Sequence, residues 1–536
     1  MDESISAPER SPDRPLIDST LYGAGPDDNI SEATEQAAET QHRVTVGGET
    51  IAYTARAGHL VIYDQVSARA TAKIFYVSFT KNDIPVARRP VTFFYNGGPG
   101  SSSVFLLLGS FGPRRIKTSM PYFTPPAPYT LEDNADSLID RSDLVFINPV
   151  GTGYSAAIAP SRNRDFWGVD EDARSIKQFV KRYLTAYGRW NSPKFLFGES
   201  YGTPRTCVLT WLLHEDGVDL NGIVLQSSIL DYSQPSISVG IFPTFAADAL
   251  FHGKAKVHPP PTDLATYLKG VETFAQNAFA AAKATFPNFD PATLKTASEM
   301  LGIPADLLKS WKLDPDINGG TNYLTSLLSA EGYAVGAYDG RVKGNETGIA
   351  GSVAPDSGGN DPTMTAVGGV YTALWNVLLN EELKYTSVSP FLDLNDLAFQ
   401  NWNFNHIDPT GAQVGGPTLY TAGDLAASME LNPYLKVFCA NGYYDAVTPF
   451  LQTQRDLLAM PLGDPATYKN LRFCSYPSGH MVYLDDASRT AMKADLGKFY
   501  DEVTGAGTAI AAMVARGEAP HLRTTRYRRR FGRTPY

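Results

Sequence analysis

The sequence predicts an α/β fold, with a mainly parallel central sheet flanked by helices and a largely helical insertion over it. Five short apolar runs make the first case for this: Val91–Tyr95, Asp143–Ile147, Lys194–Phe197, Gly222–Leu225 and Lys436–Ala440. Strands buried on both faces read as continuous apolar segments, and they do so mainly in parallel sheets. The second observation is an amphipathic helix from about Val169 to Arg189. It carries Ile176, Phe179, Val180, Tyr183 and Leu184 at helical spacing. Asp170, Glu171 and Asp172 stand in its first turn, where the helix dipole favours negative charge. Lying between the second and third apolar runs, this helix completes a strand–helix–strand unit. The third observation is a change of texture between residues 233 and 420. Thr262 and Asp290-Pro291 start helices there, and Leu294, Ala297 and Leu301 share one face.

The elements before the first apolar run differ again. His42–Val46, Thr50–Thr54, Leu60–Tyr63 and Lys73–Phe79 are short and rich in β-branched and aromatic residues, as expected of antiparallel strands and hairpins. Residues 1–42 are acidic and Pro-rich and read as a flexible tail. The expected organisation is therefore a tail over 1–42, a core over 43–232 and 421–505, an insertion over 233–420, and a basic tail over 506–536. The arginine run of that last tail reads as solvated.

A chain of 536 residues suits one large α/β domain with an insertion. Its net charge of −10 argues against a duplex nucleic-acid partner, which calls for a broad basic surface. Cys207, Cys439 and Cys474 are too few for a disulfide framework; separate buried thiols are expected, with Cys439–Cys474 the one conceivable bridge. No stretch is long and apolar enough to span a bilayer. The first forty residues hold no signal-peptide core, so the chain as written reads as cytoplasmic, although an exported protein stripped of its leader would read the same.

The chemistry centres on Gly198-Glu199-Ser200-Tyr201-Gly202. A serine hydroxyl is a weak nucleophile at neutral pH and needs a base, which in turn needs an orienting acid. Gly-x-Ser-x-Gly presents the serine on a tight strand-to-helix turn that tolerates only small neighbours. Phe195–Phe197 supplies the strand, and Gly202–Leu213 the helix, with Pro204 in its first turn. This is the nucleophile elbow of an α/β-hydrolase fold, in which the order is Ser, then Asp or Glu, then His. His214 follows the elbow helix too closely. His252, His258 and His406 fall in the insertion, and His521 in the basic tail. His480 follows the strand-like Leu471–Cys474 and is the expected base. Asp445 follows the strand Lys436–Ala440 and is the expected acid; its competitor Asp456 falls on a helix and reads as solvated. The run Asn96–Ser103 follows the first apolar strand. There it can lend an oxyanion-hole N–H, with the second donor at Tyr201.

Together Asn96-Gly97-Gly98-Pro99-Gly100-Ser101-Ser102-Ser103, Gly151-Thr152-Gly153-Tyr154-Ser155, Gly198–Gly202 and the Asp445 and His480 loops resemble the serine carboxypeptidase family. The resemblance covers about residues 90–232 and 430–490. It implies that Asn96 and Gly97 bind the free α-carboxylate of a peptide. It further implies that Glu199 joins them as a protonated acid, that Gly98 and Tyr201 hold the oxyanion, and that no metal or organic cofactor is needed. Two carboxylates that close cannot both be ionised, so binding should favour acidic media. The sequence departs from the family pattern at Phe94 (often Trp), at Ser101 (often a disulfide Cys, its loss fitting a bacterial-type member) and at Ser110 (often Glu or Gln). Gly151–Ala156 also fits a dinucleotide glycine pattern, but the chain runs on through Pro160 where a helix should open. The leading expectation is a serine carboxypeptidase acting on peptide C-termini. An esterase or acyltransferase on the same scaffold is the alternative, and a non-catalytic binding protein a third.

Overall fold

The computed structural model describes residues 12–233, 236–315, 323–345 and 361–515. Among the described residues nine strands form the main path of the central sheet: β1 (Ala37–Val46), β2 (Glu49–Tyr63), β3 (Ala70–Lys81), β4 (Val91–Tyr95), β5 (Asp143–Ile147), β6 (Lys194–Glu199), β7 (Gly222–Gln226), β8 (Lys436–Gly442) and β9 (Leu471–Tyr476). Their spatial order is β9-β8-β7-β6-β4-β5-β3-β2-β1, and the two-residue strand Ala156–Ala157 joins β3. From β9 to β5 every pairing is parallel; from β5 outward to β1 every pairing is antiparallel. The apolar runs are the parallel strands, and β4, β5, β6 and β7 are buried along their whole length.

The antiparallel part is more continuous than the sequence suggests. Thr50–Thr54 and Leu60–Tyr63 lie on one strand, β2, paired with β1 across Gly47-Gly48. Both glycines have positive φ, +58° and +84°, as a tight hairpin turn between twisted strands demands. The helix expected at 169–189 runs Val169–Ala186 and buries Ile176, Phe179, Val180, Tyr183 and Leu184 against the sheet. The loop Gly151–Ser155 opens no helix, since helical backbone resumes only at Asn163.

Residues 12–42 are not a loose tail. Leu16–Asp18 pairs in parallel with Tyr385–Ser387 of the insertion, and β1 already begins at Ala37. The reason is polar: buried Asp18 accepts hydrogen bonds from Tyr22 (2.7 Å) and Tyr385 (2.5 Å), and Tyr22 stacks on His59. The basic tail likewise starts later than residue 506, because the last helix runs Asp486–Ala515. The arginine run from Arg523 lies outside the described residues.

The region 233–420 holds the helices Ser238–Phe251, Leu264–Phe274, Pro291–Leu301 and Pro362–Val377 among its elements. A separate apolar cluster, including Phe242, Phe245, Phe279, Leu301 and Tyr323, packs the first three together, whereas the helix Pro362–Val377 buries Val367, Val370 and Tyr371 in the core beside the sheet. Its later part is stitched to the core by backbone bridges Ser101–Leu394, Gly153–Leu392 and Gly168–Asn403. All three cysteines are free. Cys439 pairs in register with Phe473 and not with Cys474. No helix among the described residues is long and apolar enough to cross a membrane.

Candidate active site

The parallel strands β4, β6, β7, β8 and β9 all end on one side of the sheet, where ligand crevices form in α/β folds. Ser200 follows β6 at the centre of that edge. Its φ is +58°, a left-handed value that costs a non-glycine residue about 1 kcal/mol or more. The turn is held by its surroundings: Ser200 N–H donates to Gln226 O at 3.0 Å, and Ser200 O accepts from Thr203 N at 2.8 Å. A Cβ on Gly198 would lie 2.2 Å from Gly202 O, so the residue before Glu199 must be glycine. The elbow helix runs Gly202–Glu215, with Pro204 in its first turn.

The glycine loop after β4 packs directly on this elbow. A Cβ on Gly97 would stand 2.4 Å from Tyr201 N, so only glycine lets the two backbones meet. Arg205 of the elbow helix braces both pieces. Its Nη1 donates to Asn96 O at 2.7 Å and its Nε to Asp172 at 2.5 Å, and its guanidinium lies over the Tyr201 ring. Sequence reasoning missed this buried arginine, one turn beyond the motif.

The structure brings the Asp445 and His480 side chains together. His480 Nδ1 lies 2.9 Å from Asp445 Oδ2. Asp445 is fully buried and its other oxygen accepts from Val447 N (2.9 Å) and Thr448 N (3.0 Å). These bonds keep the carboxylate fixed and oblige Nδ1 to be the protonated nitrogen. Burial works to lower the His480 pKa, but Asp445 outweighs it and the net shift is upward. His480 is also held by its backbone: its N–H donates to Tyr338 O (2.6 Å) and its O accepts from Ser227 Oγ (2.6 Å). The Tyr338 ring packs edge-on against the imidazole at 5.0 Å, so the insertion supplies one wall of the site. Among the described residues no hydrogen bond joins Ser200 Oγ to His480. Such bonds are commonly long in unliganded hydrolases and tighten with substrate.

Asp456 does not compete for this role, nor is it solvated. It is buried on the helix Phe450–Leu458, bonded to Gln452 Nε2 at 2.6 Å, and burial pushes its pKa up to about 7.

Glu199 is buried beside this pair. Its Oε1 accepts from Tyr483 OH at 3.2 Å and its Oε2 from Gln226 Nε2 at 3.1 Å, with Asn96 also acting on it. Burial pushes its pKa up to about 7, against the opposing pull of His480 and the hydrogen bonds. Asn96 Oδ1 accepts from Leu106 N at 2.9 Å, which fixes its amide. Ser110 is buried and its Oγ donates to Leu106 O at 2.5 Å, so that hydroxyl is engaged in its own helix. Tyr483 and Gln226 have no counterpart in the sequence reading, although Tyr483 stands only three residues after His480. Among the described residues no cluster of His, Cys, Asp and Glu could hold a metal.

Residues 48–233 match the serine carboxypeptidase family. That stretch holds the glycine loop, Glu199 and Ser200; Asp445 and His480 lie beyond it. The chain is 28% identical over 147 residues to a serine carboxypeptidase of Caenorhabditis elegans, covering 26% of each protein. It is 31% identical over 147 residues to a pheromone-processing carboxypeptidase of Uncinocarpus reesii, covering 27% of this chain and 20% of that one. The match to a probable serine carboxypeptidase of Rattus norvegicus is 26% over 192 residues, 34% of this chain and 37% of that one. These matches thus span about a fifth to just over a third of the relatives' length. The crystal structure of a prohormone-processing carboxypeptidase from Saccharomyces cerevisiae superposes with a TM-score of 0.52 at 15% identity, over 84% of this chain and 91% of that one. The chain has the α/β-hydrolase fold.

Proposed function

We propose that the protein is a serine carboxypeptidase that removes C-terminal residues from peptides through an acyl-enzyme on Ser200. His480 Nε2 takes the proton of Ser200 Oγ as Oγ attacks the last peptide carbonyl. Asp445 holds the ring and offsets the imidazolium charge. The N–H groups of Gly98 and Tyr201, brought together by the close contact at Gly97, receive the oxyanion. His480 then returns the proton to the leaving amine, the C-terminal residue departs, and water hydrolyses the ester by the same route.

One observation carries the choice of an exopeptidase over a general esterase. A buried carboxyl, Glu199, stands immediately before the nucleophile and against Asn96, with its pKa pushed up to about 7 by burial. A neutral carboxyl in that place can share its proton with the α-carboxylate of a peptide, while Asn96 and the backbone at Gly97 donate to it. An ester or a blocked peptide offers no such group.

The test compares one peptide as free acid and as C-terminal amide. The free acid should be cleaved at least tenfold faster, by the worth of one charge-assisted hydrogen bond of about 1.5–3 kcal/mol; equal rates would shift the reading to an esterase. Because Glu199 must carry its proton, kcat/KM on the free acid should fall as pH rises through about 7. Glu199→Gln should flatten that fall.

A further inference from the structure

Two side chains outside the expected machinery converge on Glu199 from different elements. Tyr483 comes from the loop after β9 and is fully buried; its OH donates to Oε1 at 3.2 Å. Gln226 is the last residue of β7, also fully buried, and its Nε2 donates to Oε2 at 3.1 Å. Each carboxyl oxygen thus has a donor from outside the glycine loop, in addition to the hydrogen bond from Asn96, and the two hold the group from either side. Gln226 Oε1 is buried with no hydrogen-bond partner among the described residues. A half-satisfied buried amide is costly, and its satisfied half points at Glu199. Tyr483 in turn leans on Tyr371 of the helix Pro362–Val377, whose own OH reaches Phe105 O at 3.4 Å. Ser110, at a position where the family pattern often has Glu or Gln, has turned its hydroxyl to Leu106 O.

We propose that Tyr483 and Gln226 are positioning residues for Glu199, jointly orienting its carboxyl toward the terminal carboxylate of a peptide in place of the acid that Ser110 does not supply. The inference rests on the carboxypeptidase reading above. It assigns the clamp to Asn96, Gly97 and Glu199, with the tyrosine and the glutamine behind them.

The titratable groups facing Glu199 are Tyr483 and His480 after β9, Asp445 after β8, Tyr371 from the helix Pro362–Val377, and Tyr338 from the insertion. His480 must be neutral to act as base, so it governs the acid limb of the pH profile and Glu199 the alkaline limb. A donor to a carboxylate favours its charged form. Removing the Tyr483 hydroxyl therefore lets Glu199 keep its proton to higher pH.

The experiment measures kcat and KM against pH on a free-acid peptide for wild type, Tyr483→Phe and Gln226→Leu, with folding checked by thermal melts. For both variants the alkaline limb of kcat/KM should move upward by about one pH unit. KM should rise about tenfold, more than kcat falls. In a Glu199→Gln background, Tyr483→Phe should move no limb. Should Tyr483→Phe fail to fold, Gln226→Leu decides alone. Alkaline limbs that overlay wild type overturn the inference, even if KM changes, because a packing defect alone does not displace a titration. A wild type that treats amidated and free-acid peptides alike overturns the carboxypeptidase reading and this inference with it. A wild type that prefers free acids, with unshifted variants, overturns this inference only.

Discussion

His480 and His406 are each 2% exposed and each hydrogen-bonded to aspartate, yet their surroundings differ in one respect. His406 is gripped at both ring nitrogens, Nδ1 by Asp170 at 2.5 Å and Nε2 by Asp424 at 2.9 Å. His480 has Asp445 at Nδ1 only, and its Nε2 has no hydrogen-bond partner among the described residues. Burial works to lower the His406 pKa, but the two carboxylates overcome it and raise it to about 9, so the ring is charged at neutral pH. Burial raises Asp424 to about 6. Between those values the pair is ionised and serves as a latch between residues 406, 424 and the first turn of the helix Val169–Ala186. A second carboxylate therefore makes a histidine structural; leaving its far nitrogen without one keeps it available as a base.

Breaking each histidine should give opposite results. His480→Ala should lower kcat by a factor on the order of 10⁵ or more, with the fold retained in a thermal melt. Asp445→Asn should cost about 10⁴ in kcat, because the amide holds the wrong tautomer. Ser200→Ala should abolish labelling by a fluorophosphonate; persistent labelling would point to another serine. His406→Gln should instead destabilise the protein by about 3–5 kcal/mol in denaturant titrations, since it leaves buried Asp170 and Asp424 without their charge partner.

The smallest effect is the most specific. The folded pKa of His406 lies above its unfolded value of 6.5, so its stabilisation is fully present below pH 6.5 and is lost as pH rises through about 9. The difference in stability between wild type and His406→Gln should shrink over that window. A difference that stays constant across it would mean that the latch is not an ion pair.

The same contrast shows what a sequence can and cannot display. Ser200 and Asp445 stood out as candidates because each follows a buried apolar run, and His480 because the other histidines fell elsewhere and it follows a strand, half-buried here, at the sheet edge. His406 looked like any histidine in an insertion, because its partners lie 236 and 18 residues away, beyond the reach of local pattern. Asp456 looked solvated because helical position says nothing about what packs over it. Gln226 and Tyr483 were invisible for a related reason: their meaning lies in a shared partner, Glu199, that only the juxtaposition of β6, β7 and the loop after β9 creates. The pairing of Leu16–Asp18 with Tyr385–Ser387 was hidden likewise, since three residues carry too little periodicity to announce a strand.

That last pairing has a consequence for the living chain. Asp18 and Tyr385, which close it, are 367 residues apart. At translation rates of about 5–20 residues per second, the first partner leaves the ribosome roughly 20 to 70 seconds before the second exists. Asp18 must wait for Tyr385 through the synthesis of the sheet's first seven strands and most of the insertion, whereas Tyr22 meets His59 of β2 early. The fastening of the insertion to the N-terminal segment is thus a late event in the birth of the molecule, made onto a segment that Arg14, Tyr22 and Ile30 already tie to earlier elements.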